Sequence, residues 1–139
     1  MKTAIFVDIQ NIYYTTRDTF KRSFNYKRFW HKIESEDNII LANAYAIDKG
    51  DEKQKKFQYA LKTIGFTVKL KPYISRSDGS SKGDWDVGIT IDILDSAEKA
   101  EKIILLSGNI LSGIKLVSPK SNATFFDFGL LYISFGVPF

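Results

Sequence analysis

The chain has no cysteine, three prolines, one methionine and one histidine in 139 residues. Without cysteine there is no disulfide framework, no thiolate zinc site and no cysteine nucleophile, which fits a protein of the cytosol. His31, amid basic and aromatic neighbours, cannot build a histidine-rich metal site and reads as a surface or packing residue. A serine triad would need that histidine beside Ser107, a slim basis for nucleophilic chemistry. No apolar run approaches the roughly 18 residues of a spanning helix, so no membrane partner is expected. Met1-Lys2-Thr3 leads into a strand-like segment and does not read as a signal peptide. No Gly-x-x-x-x-Gly-Lys-Ser/Thr run and no Gly-x-Gly-x-x-Gly after the first strand supports a nucleotide cradle.

What is present fits one globular domain with a core of its own, 44% hydrophobic and 26% charged. The formal charge of +4 is modest, but its placement is suggestive. Lys21-Arg22, Lys27-Arg28 and His31-Lys32 interleave with Phe20, Phe24, Tyr26, Phe29 and Trp30. A second group runs Lys53, Lys55, Lys56, Lys62, Lys69, Lys71, Arg76, Lys82. Basic residues beside aromatics can follow a phosphate backbone and stack bases. The competing reading of the first group is an amphipathic helix with aromatic core positions and solvated lysines.

Residues 3–8 read as a buried strand, about 10–20 and 25–35 as helices, and 39–47 as a second strand. Asp51 can cap a helix over about 52–64, and Gly65 stands where a terminating glycine belongs. A third strand follows at 66–70, then a polar, mobile surface loop at 72–83. The stretch from Asp84 to about Lys99 fits both periods. Helix is preferred, because Asp84 can cap it and parallel strands need a crossover. A fourth strand spans 103–106. The alternation predicts a three-layer α/β sandwich, Rossmann-like, with a mainly parallel central sheet. After Asn109 only Lys115, Lys120 and Asp127 are charged and aromatics crowd the end, so 1–109 reads as the domain core and 110–139 as a divergent segment of it. Short strands fit 114–118, 124–128 and 131–137, but a parallel sheet would want another helix.

Asp8 ends the first strand and Asn11 follows at the start of a helix. In open α/β sheets that edge is where ligands bind. Magnesium and manganese prefer carboxylate oxygens, so converging aspartates there would hold a hard cation over a phosphodiester. Asp86 is the next candidate, against the plainer reading of an acid favoured by a helix N-terminus. Asp92 lies roughly 120° around the helix from Asp86, which favours solvation or a structural hydrogen bond.

With Ile5-Phe6-Val7-Asp8-Ile9-Gln10-Asn11-Ile12, Lys82-Gly83-Asp84-Trp85-Asp86-Val87-Gly88-Ile89-Thr90-Ile91-Asp92 and Ile103-Ile104-Leu105-Leu106-Ser107-Gly108 laid out, the chain resembles NYN-domain proteins of the LabA-like group, relatives of PIN-domain nucleases. The resemblance covers about residues 2–108. It implies a PIN-like sandwich and a Mg²⁺- or Mn²⁺-dependent ribonuclease site at the sheet's C-terminal edge. By it Asp8, Asp86 and Asn11 are the catalytic candidates, and Asp8, Asp86, Asp92 and Asn109 the metal candidates. Lys71, Arg76 and Lys82 are the candidates for guiding RNA.

The family usually continues Ser-Gly-Asp-x-Asp-Phe, whereas this chain reads Ser107-Gly108-Asn109-Ile110-Leu111-Ser112. Leucine cannot ligate a metal, and lost negative charge weakens divalent-ion affinity. Three explanations stand: a degenerate RNA binder, a tail arising from frameshift or truncation (the preferred one), or a site completed by Asp127. The functional expectation is therefore metal-assisted RNA hydrolysis, inactive if the second acidic motif is indispensable. A non-catalytic RNA-binding module is the alternative, and an oligomer that buries the aromatic tail is the third class.

Overall fold

The computed structural model describes residues 2–13, 24–72, 74–75, 81–82, 85–107, 121–126 and 130–135, with backbone alone for 74–75, 81–82, 86, 121–126 and 130–135. β1 (Lys2–Asp8) is buried at every position after Lys2, as expected of a parallel strand covered on both faces. It lies parallel to both β2 (Asn38–Asp48) and β6 (Lys102–Leu106), and β2 lies parallel to β3 (Thr67–Pro72). The full sheet order is β3-β2-β1-β6-β8-β7, with β7 at Ser121–Phe126 and β8 at Leu130–Phe135. The chain steps outward from β1 to β3 and then returns to the other side of β1. The reversal between β1 and β6 is the switch point at which open α/β sheets bind ligands.

Strand alternation sends side chains to two cores. Ala4, Phe6, Tyr45, Ile103 and Leu105 pack with Ile89 and Ile93 of α4 (Asp86–Ser96). Ile5, Val7, Ala44, Ile104 and Leu106 pack on the opposite face with Ile12 of α1 (9–13), Tyr26 of α2 (Tyr26–Glu36), and Leu61 of α3 (Glu52–Ile64). On α2 the amphipathic reading holds: Tyr26, Phe29 and Trp30 join the core, while Lys27, Arg28 and Lys32 are exposed. His31 is a surface residue, 3.7 Å from Glu34.

Local chemistry sets the ends of α3. The Asp51 carboxylate accepts from the Lys53 amide at 2.8 Å. Gly65 closes the helix at φ +136°, and a Cβ there would lie 2.7 Å from the Trp30 ring.

Three expectations need correction. The N-cap of α4 is Trp85, with no side-chain cap bond, rather than Asp84, which lies outside the described residues. The segment expected as a polar, mobile surface loop at 72–83 contains a two-stranded antiparallel ribbon, β4 (Ile74–Ser75) with β5 (Ser81–Lys82). The tail needs no further helix. β7 (Ser121–Phe126) and β8 (Leu130–Phe135) pair antiparallel, and β8 lies antiparallel on β6. Antiparallel strands accept a short connection, so the crossover a parallel strand would require is unnecessary. The strand expected at 114–118 and most of the helix expected to 20 lie outside the described residues.

Candidate active site

Asp8 stands at the C-terminal tip of β1, only 4% exposed. Asn11 holds it: the Asn11 side-chain amide donates to Oδ2 at 2.6 Å and its backbone amide to Oδ1 at 3.4 Å. The carboxylate therefore sits at the N-terminus of α1, where helix amides favour negative charge. Burial, and then the Asp8 charge, push the pKa of the nearby Tyr26 hydroxyl upward, so Tyr26 stays protonated beside it.

Ser107 directly follows Leu106, the register partner of Val7, and so comes to the level of Asp8 on the neighbouring strand. It is 1% exposed, and its Oγ is buried without a hydrogen-bond partner among the described residues. An orphaned hydroxyl in such a place costs free energy unless a ligand or water satisfies it. In the sequence, the chemistry open to Ser107 is that of a triad member. His31, exposed on α2 beside Glu34, does not serve that role.

A second network crosses the sheet at the same level. Tyr45 is the register partner of Asp8 on β2, and Lys69 is the partner of Tyr45 on β3. The Tyr45 hydroxyl donates to Asp92 Oδ2 at 2.6 Å, Lys69 Nζ donates to the same oxygen at 2.8 Å, and Asn43 donates to the Tyr45 hydroxyl at 3.1 Å. Burial pulls the Asp92 pKa upward, but hydrogen bonds from Lys69 and Tyr45 and the Lys69 charge outweigh it and hold the carboxyl below its ordinary value. Burial and the bond to Asp92 push the Tyr45 pKa up. Asp92 is thus charge-compensated inside the protein, which suits the structural hydrogen bond its helical angle favoured over a ligand role.

Trp85, the residue before Asp86, anchors the start of α4. Its indole Nε1 donates to the Ala46 carbonyl at 2.8 Å, its ring lies 5.1 Å from that of Tyr45, and Lys71 Nζ sits 4.4 Å from its centroid. Lys71, expected to guide RNA, is thereby seated on an aromatic face. Asp86 opens α4 and Lys82 ends β5; their side chains, together with Arg76 and Asn109, lie outside the described residues.

Among the described residues no three His, Cys, Asp or Glu side chains gather to hold a metal. The edge fits a hard cation in kind, since Asp8, Asn11 and Ser107 offer oxygen donors. In number it offers one carboxylate, so further ligands would have to come from Asp86 and Asn109.

The arrangement has known counterparts. The family model described as NYN domain matches residues 2–113, and the chain belongs to that family, generally a nuclease-type domain associated with divalent metals and RNA. It is 29% identical over 116 residues to the low amplitude and bright protein LabA of Synechococcus elongatus, a match covering 78% of this chain. The chain spans 62% of that relative's length. A crystal structure of a Vibrio parahaemolyticus protein of unknown function superposes with a TM-score of 0.72 at 49% identity, covering 78% of this chain and 67% of the other. No helix among the described residues is long and apolar enough to cross a membrane.

Proposed function

We propose that the protein is a cytosolic ribonuclease of the NYN type, hydrolysing RNA phosphodiester bonds at the switch point between β1 and β6. The observation that carries the reading is a buried carboxylate, Asp8, with a buried hydroxyl, Ser107 Oγ, that has no hydrogen-bond partner among the described residues, at its level on the next strand. Asn11 fixes the Asp8 carboxylate through two donors, so one geometry is presented. The Ser107 hydroxyl is available to donate to a phosphate oxygen. Tyr26 stays neutral near Asp8 and adds no competing charge. Asp8 would hold a Mg²⁺ or Mn²⁺ ion with Asp86 and Asn109, and Lys82 and Arg76 would guide the backbone. Such an ion supplies water activation and neutralises charge developing on phosphate.

A second reading, an RNA-binding module without chemistry, is favoured by Asn109 and Leu111 standing where the family carries acids. The two separate in one experiment. Purified protein is incubated with single-stranded RNA and Mn²⁺, and binding is measured in parallel in EDTA. Cleavage that Asp8→Asn abolishes supports the enzyme. Salt-sensitive binding with no cleavage supports the module.

A further inference from the structure

Four of the eight residues in the second basic group of the sequence, Lys53, Lys55, Lys56 and Lys62, fall on α3, and the candidate active site does not use these four. Tyr59 on this helix is 74% exposed, more than any other large hydrophobic side chain among the described residues. Residues three and four apart are neighbours on a helix surface, so Lys55, Lys56 and Lys62 surround that ring. All three are exposed. Lys55 has a solvent-exposed partner in Glu52 at 3.7 Å, whereas Lys56 and Lys62 make no ion pair among the described residues. The buried side of α3 is elsewhere, at Gln58 and Leu61. A lone exposed apolar side chain is ordinary on a protein surface, but this one is an aromatic ring with exposed lysines one turn away on either side. A phosphate backbone matches the charge, and a base matches the ring.

The placement of α3 connects this surface to the edge that carries Asp8. β2 runs parallel to β1 and ends at Asp48, and α3 starts at Glu52, so its first turn lies at the same end of the sheet. Gln54 ties the two together by donating to the Ile47 carbonyl and accepting from the Lys49 amide. From Lys53 to Lys62 the helix then carries positive charge away from the edge over roughly 14 Å.

We propose that the outer face of α3, with Tyr59 bracketed by Lys55, Lys56 and Lys62, is a second docking surface for single-stranded RNA, holding nucleotides that extend beyond the edge site. This rests on RNA as the ligand class, but not on cleavage. The test measures anisotropy of labelled U12 and U4 in EDTA, so its result stands whether or not the protein cuts. Lys55→Gln/Lys56→Gln/Lys62→Gln should weaken U12 binding about tenfold and make the salt slope shallower by about 2. Tyr59→Ala should weaken it about fivefold, and Tyr59→Phe should restore it, because stacking needs the ring and not the hydroxyl. U4 should be unaffected. Wild-type protein that does not bind U12, variants that bind it equally well, or equal losses on U4 and U12 would each overturn the proposal.

Discussion

The Tyr45 hydroxyl donates to the Asp92 carboxylate across 2.6 Å, and Lys69 completes the arrangement from the next strand at 2.8 Å. Two acids that the family resemblance groups together are thereby given different work. Asp8 is buried at the switch point, level with a Ser107 hydroxyl that has no hydrogen-bond partner among the described residues, while Asp92 is ion-paired with Lys69 over the sheet face.

The Asp92 network predicts a pH-dependent contribution to stability. Its folded pKa is held below the ordinary 3.8, so the unfolded chain takes up the proton first as pH falls. The stabilisation is complete above that ordinary value and is lost as pH drops through the folded one. Urea unfolding of wild type and Asp92→Asn should differ by about 1 kcal/mol at neutral pH, the size expected of a half-exposed pair. The gap should narrow only below about pH 4. A gap that grows on acidification contradicts the assignment.

Lys102 and Asp37 form a much drier pair at the opposite end of the sheet, 2.5 Å apart with side chains 10% and 7% exposed. Removing one partner takes the direct ion pair from a nearly buried charge, so Lys102→Met or Asp37→Leu alone should each cost about 3 kcal/mol. The double variant should cost far less than the sum, as read from a double-mutant cycle of denaturant midpoints. Additive losses would mean that the two side chains act independently.

Gly88→Ala sets helix propensity against packing. Propensity alone favours alanine in a helix interior by about 1 kcal/mol. A Cβ on Gly88, however, would lie 2.7 Å from Trp85 Cε3, and that ring is tied to the Ala46 carbonyl and seated against Tyr45 and Lys71. The variant should lose about 1–3 kcal/mol of stability and shift the tryptophan emission. A stabilised variant would show that the indole yields freely.

Much of this molecule was legible where a local rule acts alone. Asp51 and Gly65 bound α3 through a cap and a positive φ, both of which are properties of one residue. The continuous apolar run ending in Asp8 announced a strand buried on both faces and the carboxylate at its tip. The stretch after Asp84 fitted two periods, and topology decided between them, since a parallel β6 requires a crossover. The tail was hard to place because a parallel strand there would want another helix, whereas β8 lies antiparallel on β6 and pairs antiparallel with β7. Tyr45, Lys69 and Asp92 come from three separate elements: strand register sets Tyr45 beside Lys69, and the packing of α4 on that face of the sheet brings Asp92 to them. Ser107 carried a weak signal, since what marks it is the lack of a hydrogen-bond partner among the described residues at the switch point.

Under the proposed function, Asp8 belongs to the chemistry and Asp92 to the scaffold. The most direct test is the single-turnover rate of single-stranded RNA cleavage in Mn²⁺ by wild type, Asp8→Asn and Asp92→Asn, at a temperature where all three are folded. Asp8→Asn should lose at least about a hundredfold, the scale of a removed charge-stabilising group, while Asp92→Asn stays within about threefold of wild type, as expected of a group that acts on stability. Cleavage by Asp8→Asn at the wild-type rate, or an equal collapse of both variants, would contradict it.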